Sequence, residues 1–524
     1  MPTLDISDLT RLGVCEWDFL THRLPTAPEV QFGDTDDEFH RYLATLTRDF
    51  QAGLALHPKR LLPFLEQAGI STKTPVRASA NIRLTVPTSA TINGEKVALS
   101  GTIPITVSTT DPVTGGTLNL VGLGKYSAHM RSRVRANMAG IAYLTAKRDR
   151  ASGETVTTAR RAIGELACPA AGEQLRSWRT AERLPRGDYF EQVLLFLADG
   201  NLKSEHFDEL IAEAKNLIAR AAELLENWGN HEIGETCWRR VQVCGGCAAC
   251  TGAVAAYDDV LAVSGLGPNT RTDAHRQGIF TVKELADADL RAIGSLRPVF
   301  VERAGMLLKQ RETGELLYSI NHDSPLLGAL PNPGDQDLYL DFENDSLWGW
   351  TRTDHTGLVY LAGYWLDGEY HALWAHDRES EATMYKQLTA EIVAHLEAYP
   401  EARVYHYSSQ EREYFRRLQR RHRFEHPGFE RFTDLFEVAR SALTTGTGGM
   451  TLKDLEPLYL GEQARGTNIS DGGMAAVRFH QLFTSAGDAA NLPPEKLYEL
   501  AEYNRQDCVS TMRLHHWLAA QRRL

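Results

Sequence analysis

Three acidic segments separated by long stretches of chain constrain this sequence more than anything else in it: Asp341-Phe342-Glu343, Glu411 within His406 to Leu418, and Tyr503 with Asp507. The apolar run Leu338, Tyr339, Leu340 predicts a buried strand, and residues two apart on a strand face the same way, so Asp341 and Glu343 share a face. Between Leu500 and Trp517 apolar residues recur at helical spacing (Leu500, Tyr503, Val509, Met512, Leu514, Trp517). Tyr503 and Asp507 therefore stand one turn apart on one face of a helix. Each predicted element aims a carboxylate at a common point.

Such an arrangement suits phosphodiester hydrolysis, because hard divalent cations take oxygen ligands and a pair of them can clamp the attacking and leaving oxygens of an in-line displacement. From about residue 336 to 520 the sequence resembles the DEDD exonuclease superfamily on the RNase H-like fold, in its tyrosine-type branch with a YxxxD third motif. Order and context match as well as letters: DFE ends a strand, His406-Tyr407-Ser408-Ser409-Gln410-Glu411 follows a strand-like Ala402 to Tyr405 and precedes a helix, and YNRQD lies in the last helix. The second motif departs from the family, which places Asp where this chain has Glu411. The resemblance implies a metal-dependent 3′–5′ exonuclease acting on DNA or RNA ends with two Mg2+ or Mn2+ ions. Asp341 would bridge the ions, Glu343 and Asp507 would complete one site, Glu411 would support the other, and Tyr503 would orient the attacking water. His406 and Asp434 flank the motifs as secondary candidates.

The chain is long enough for several domains, and at 43% hydrophobic and 24% charged it reads as globular. Its early residues are broken by charges and it has no run long enough to span a bilayer, so no membrane role and a cytoplasmic location are expected. A net charge of −12 argues against nonspecific coating of nucleic acid but leaves room for local positive charge. Arg416, Arg417, Arg420 and Arg421 follow Glu411, and Arg131, Arg133 and Arg135 form a second cluster. Both are candidate phosphate tracks.

Seven cysteines are unevenly spread: Cys15, Cys168 and Cys508 are isolated, whereas Cys237, Cys244, Cys247 and Cys250 fall close together. Under reducing conditions such crowding speaks for metal rather than disulfides. The two C-x-x-C steps of VCGGCAAC let successive thiolates reach one centre, with Cys237 or Cys15 completing a tetrad for zinc or a [4Fe–4S] cluster. An early cysteine followed some two hundred residues later by a cysteine triplet resembles the iron–sulfur RecB-like nucleases of the PD-(D/E)XK superfamily. That resemblance implies Cys15, Cys244, Cys247 and Cys250 as cluster ligands. The catalytic carboxylates of that family are missing: Thr102, Ile103 and Pro104 occupy the first position, and Leu123 and Gly124 precede Lys125. A lysine alone cannot hold a cation, so a catalytically degenerate module is expected.

The expected class is therefore a multidomain α/β protein. Residues 1–250 form the RecB-like α/β module, 251–320 a small helix–hairpin–helix-like module around Val263 to Gly267, 321–336 a linker, and 337–524 an RNase H-like mixed sheet with flanking helices. An amphipathic helix is expected over 203–228, and strands over 337–342, 347–352, 358–366 and 370–375. The rival reading is a nonenzymatic nucleic-acid adaptor or helicase-associated subunit. Any unwinding would come from a partner helicase, since the sequence has no G-x-x-x-x-G-K-[ST].

Overall fold

The computed structural model describes residues 2–30, 38–56, 58–70, 76–110, 115–125, 132–151, 158–159, 179–180, 188–198, 201–289, 296–346, 348, 357–425, 427–446, 449–460, 469, 471–486, 492 and 494–522. They form two compact units that divide between Tyr257 and Asp258.

The first unit is built on a mixed sheet of eight strands among the described residues. Its longest hairpin joins Arg77–Ile92 to Glu95–Thr110. Asn93 and Gly94 make the turn with φ of +50° and +81°, the two positive values that match a tight turn to the twist of its strands. Thr117–Lys125 pairs antiparallel with the second of these strands, Ile105 opposite Gly122, and parallel with Asp188–Leu197. Leu54, Leu65, Ile105, Val107, Leu118, Leu120, Leu194 and Phe196 make a core against the sheet. The amphipathic helix begins at Phe207 and ends at Trp228. Residues expected as its first turn form instead the strand Leu202–His206, because their backbone groups complete the ladder of Asp188–Leu197.

The second unit opens with a short helical bundle. Helices Pro268–Arg276, Val282–Ala286 and Pro298–Thr313 enclose Val260, Val263, Leu266, Ala274, Leu285 and Phe300. At its centre the buried Asp259 carboxylate accepts from the Arg271 guanidinium at 2.9 Å. Gly265 takes a φ of +75° in the turn before Gly267, which caps the next helix. The segment expected as a linker is packed down: Ser324 caps the short helix Pro325–Gly328, and Leu327 and Leu330 enter a core with Leu435, Val438 and Leu514.

Beyond it lies a sheet of five strands among the described residues, in the order Glu369–Trp374, Leu358–Leu366, Leu338–Asp345, Val404–His406, Phe432–Asp434. The first three strands run antiparallel and the last two join in parallel. Of the expected strand at 347–352, all but Trp348 lies outside the described residues. One face of the sheet buries Leu338, Leu340, Phe342, Val359 and Ala362 against the helix Arg378–Ala398 and Phe415 and Leu418 of the next helix. The other face receives the helices Gly472–Ala486 and Pro494–Ala520, through Leu361, Phe479, Leu500 and Tyr503. Among the described residues no helix is long and apolar enough to cross a membrane.

Candidate active site and thiolate centre

Strand alternation decides where the first two acids point. With Leu340 and Phe342 committed to the core under Arg378–Ala398, Asp341 and Glu343 must face the terminal helix. Asp507 comes from that helix, and ligand oxygens of Asp341, Glu343 and Asp507 all lie within 4.8 Å of one another. Glu343 is buried. Burial is the main reason its carboxyl is pushed well above the usual range, and the neighbouring Asp507 raises it further. Acids drawn this close repel one another when ionised, and a hard cation between them relieves that repulsion.

Several residues that the motif reading passed over hold the trio in place. Asn504, fully buried beside Tyr503, donates from Nδ2 to Asp341 Oδ2 at 2.7 Å, and its Oδ1 accepts from the Tyr370 hydroxyl at 2.9 Å. Its amide also hydrogen-bonds Glu343. Gly363 sits opposite Asp341 in the sheet, and a Cβ there would lie 1.6 Å from Asn504 Oδ1. Only glycine leaves room for the amide. Lys453 donates to the Tyr503 hydroxyl at 3.3 Å and lies 4.8 Å from the centre of its ring. Its charge pulls the Glu343 carboxyl down against the larger effect of burial. Tyr503 has its ring packed in the core and its hydroxyl in a polar contact with Lys453. The letters Y-N-x-x-D were a signal for Asn504, one residue along the same helix; nothing local marked Lys453.

Glu411 takes a different position. It is buried at the start of the helix Gln410–His422, accepts from Ser408 Oγ at 3.2 Å and lies 3.4 Å from His406 Nδ1. Burial raises its carboxyl and His406 opposes the rise. It is not one of the three converging acids, although Glu343 feels its charge. Ser408 carries a left-handed φ of +116°, held by its N–H to Asp434 Oδ1 at 3.0 Å and by its carbonyl 2.7 Å from His406 Nδ1. His406 and Asp434, the secondary candidates, shape the turn that presents Glu411.

The expected phosphate tracks are largely engaged in the fold. Arg417 is turned inward, donating to Asn344 Oδ1 at 2.9 Å and stacking on Tyr414, and burial lowers its pKa. Arg421 donates to the buried Glu381 at 2.6 Å. Arg416 and Arg420 are exposed but flank Glu413, which takes a 2.7 Å bond from Arg420. These four arginines alternate between core and surface because a helix turns its side chains through every direction. In the first unit Arg135 bridges Glu205, Glu209 and Glu213. Arg133 remains 54% exposed, 3.7 Å from Asp18, and Arg131 lies outside the described residues.

Distance groups four of the cysteines. Cys15 Sγ lies 3.5 Å from Cys250 and 3.9 Å from Cys247, and Cys244 lies 3.8 Å from Cys250. All four sulfurs fall within 4.8 Å of one another. Cys237 is buried outside this group, its thiol pushed up to about 12, chiefly by burial. Cys15 and Cys247 each cap a helix, so that the N–H of Asp18 and of Cys250 point at their sulfurs from 3.5 and 3.4 Å. The sulfurs cannot all shed protons unaided. Hydrogen bonds among them, Cys15 foremost for both, lower Cys244 and Cys247, whereas Cys15 and Cys250 are raised. Four sulfurs this close could hold one metal ion between them, as thiolate sets do for zinc. A [4Fe–4S] cluster would also take four thiolates, with its own iron and sulfide between them. Cys168 lies outside the described residues, and at the first unit's Thr102, Pro104 and Lys125 no cluster of metal-ligating side chains occurs among the described residues.

A mixed sheet whose central strand offers two carboxylates to a third on the last helix defines an RNase H-like α/β domain with a potential cation site. Residues 338–519 match the model of a family in the RNase H superfamily. No curated protein and no solved structure matches the chain.

Proposed function

We propose that the C-terminal domain is a metal-dependent 3′–5′ exonuclease on DNA or RNA ends, of the DEDD tyrosine type. The observation that carries this reading is the convergence of Asp341, Glu343 and Asp507 within 4.8 Å, with Tyr503 one turn from Asp507 on the same helix. These residue types fit Mg2+ or Mn2+: Asp341, Glu343 and Asp507 would hold a cation, and Glu411 would support a second. The cations would activate water and neutralise charge on the phosphate. Asn504 keeps Asp341 in place through its 2.7 Å hydrogen bond, so the carboxylate does not have to be ordered on binding. Tyr503, with Lys453 on its hydroxyl, is placed to orient a water molecule.

The N-terminal unit is proposed as a RecB-like module that has lost hydrolysis and keeps a thiolate-bound metal as a staple between Cys15 and the Cys244–Cys250 loop. A metal there would contribute directly to folding. Association with a helicase would supply the unwinding for which the chain has no motif. The test is incubation of the purified protein with end-labelled single- and double-stranded DNA and RNA, with Mg2+, Mn2+ or chelator. Stepwise shortening from 3′ ends that Asp341→Ala abolishes is expected; equal degradation by the variant would refute the assignment, and binding without hydrolysis would favour the adaptor reading.

A further inference from the structure

A β-bulge beside the carboxylates turns one more side chain toward them. Along the central pair of strands Asp341 faces Gly363 and Glu343 faces Leu361, but Asn344 pairs with Val359, so Tyr360 is inserted between two registers. Strict alternation from Leu361 would send Tyr360 to the opposite face, with Ala362 and Phe342. The extra residue instead lets Leu358, Tyr360 and Leu361 all join Phe479, Leu500 and Tyr503 on the face of the acids. Phe479 stacks on the Tyr360 ring at 4.0 Å and 5°, and Trp374 lies behind at 6.3 Å.

The aromatic stack leaves the hydroxyl no freedom to reach solvent. Tyr360 is fully buried, and its hydroxyl has no hydrogen-bond partner among the described residues. A buried hydroxyl without a partner is costly, and this one lies at a bulge that borders the acids. Burial raises its pKa most, followed by the nearby Glu343, then Asp345, so it stays a protonated donor.

We propose that Tyr360 is a positioning residue of the carboxylate centre, its hydroxyl serving, directly or through one water, as the outer-sphere donor that orients Glu343 when a divalent cation is held there. The inference rests on the reading of Asp341, Glu343 and Asp507 as a cation site. The hydroxyl would act on Glu343 as outer-sphere donors act on metal ligands generally, fixing the orientation of the carboxylate.

The experiment compares the full-length parent, Tyr360→Phe and Asp341→Asn by Mn2+ titration calorimetry and by thermal melting in chelator and in Mn2+. Tyr360→Phe keeps the ring and its stacking and removes only the hydroxyl. In chelator it should melt at or above the parental temperature, because an unpartnered buried polar group has been removed. Its Mn2+ affinity should fall about 10-fold, its stabilisation by Mn2+ should shrink, and its kcat should fall with KM unchanged. Parental Mn2+ affinity together with a lower melting temperature in chelator would show that the hydroxyl serves the fold alone, and would overturn the proposal. If the parent and Asp341→Asn take up Mn2+ alike, the cation site itself is refuted, and the role of Tyr360 with it.

Discussion

Replacing Glu343 with Gln should stabilise the metal-free protein while removing its response to metal. The three acids present oxygens within 4.8 Å of one another. At that separation two full charges repel by about 3.5 kcal/mol with an effective dielectric of about 20. Glu343 escapes part of this by holding its proton, the amide of Asn504 and the charge of Lys453 offset part of the rest, and about 2 kcal/mol is a reasonable net relief. The sign follows from the direction of the shift. The folded carboxyl titrates above its unfolded value, so the native state binds the extra proton, and stability is lost as pH rises from the ordinary carboxylate range through the raised folded value. Glutamine removes that loss. In chelator the variant should match the parent near about pH 5 and melt roughly 4–8 °C higher near about pH 8. In Mn2+ the parent should gain stability and the variant should not, and hydrolysis should disappear. A variant that melts below the parent at the higher pH in chelator, or a gap that does not widen with pH, would refute the reasoning.

Other perturbations probe the parts separately. Gly363→Ala should displace the Asn504 amide from Asp341, with activity down roughly 10–100-fold and weaker Mn2+ binding, as measured by calorimetry; parental kinetics would show that Asn504 is dispensable. Tyr503→Phe should slow turnover while Mn2+ affinity stays parental, since the phenol is assigned to water rather than to metal. Cys247→Ser should release the bound metal and lower the first melting transition, and elemental analysis with the visible spectrum of the parent will distinguish colourless zinc protein from a brown iron–sulfur one. Lys125→Ala should leave hydrolysis intact; loss of cleavage would give the N-terminal unit a catalytic role.

Local periodicity was enough to find the parts of the site that repeat with their own element. Period two on a strand put Asp341 beside Glu343, and one helical turn put Tyr503 above Asp507, because these relations are set by backbone geometry within a few residues. The cysteine triplet was legible for the same reason, since its spacing is its geometry. What the sequence left open depended on contacts between distant segments. Whether Cys15 or Cys237 joins the triplet is decided by which helix start reaches the loop, and Cys15 arrives from 235 residues away from Cys250. The arginines after Glu411 looked alike in the sequence, yet Arg417 and Arg421 are drawn inward by Asn344 and Glu381 while Arg416 and Arg420 stay outside. Asn504, Gly363, Lys453 and Tyr360 acquire their places only when the terminal helix lies on the bulged sheet. A short motif encodes directions within one element, whereas the neighbours that fix a carboxylate, shift its proton affinity and shield it from water are brought together by packing between elements, and only the tertiary structure decides them.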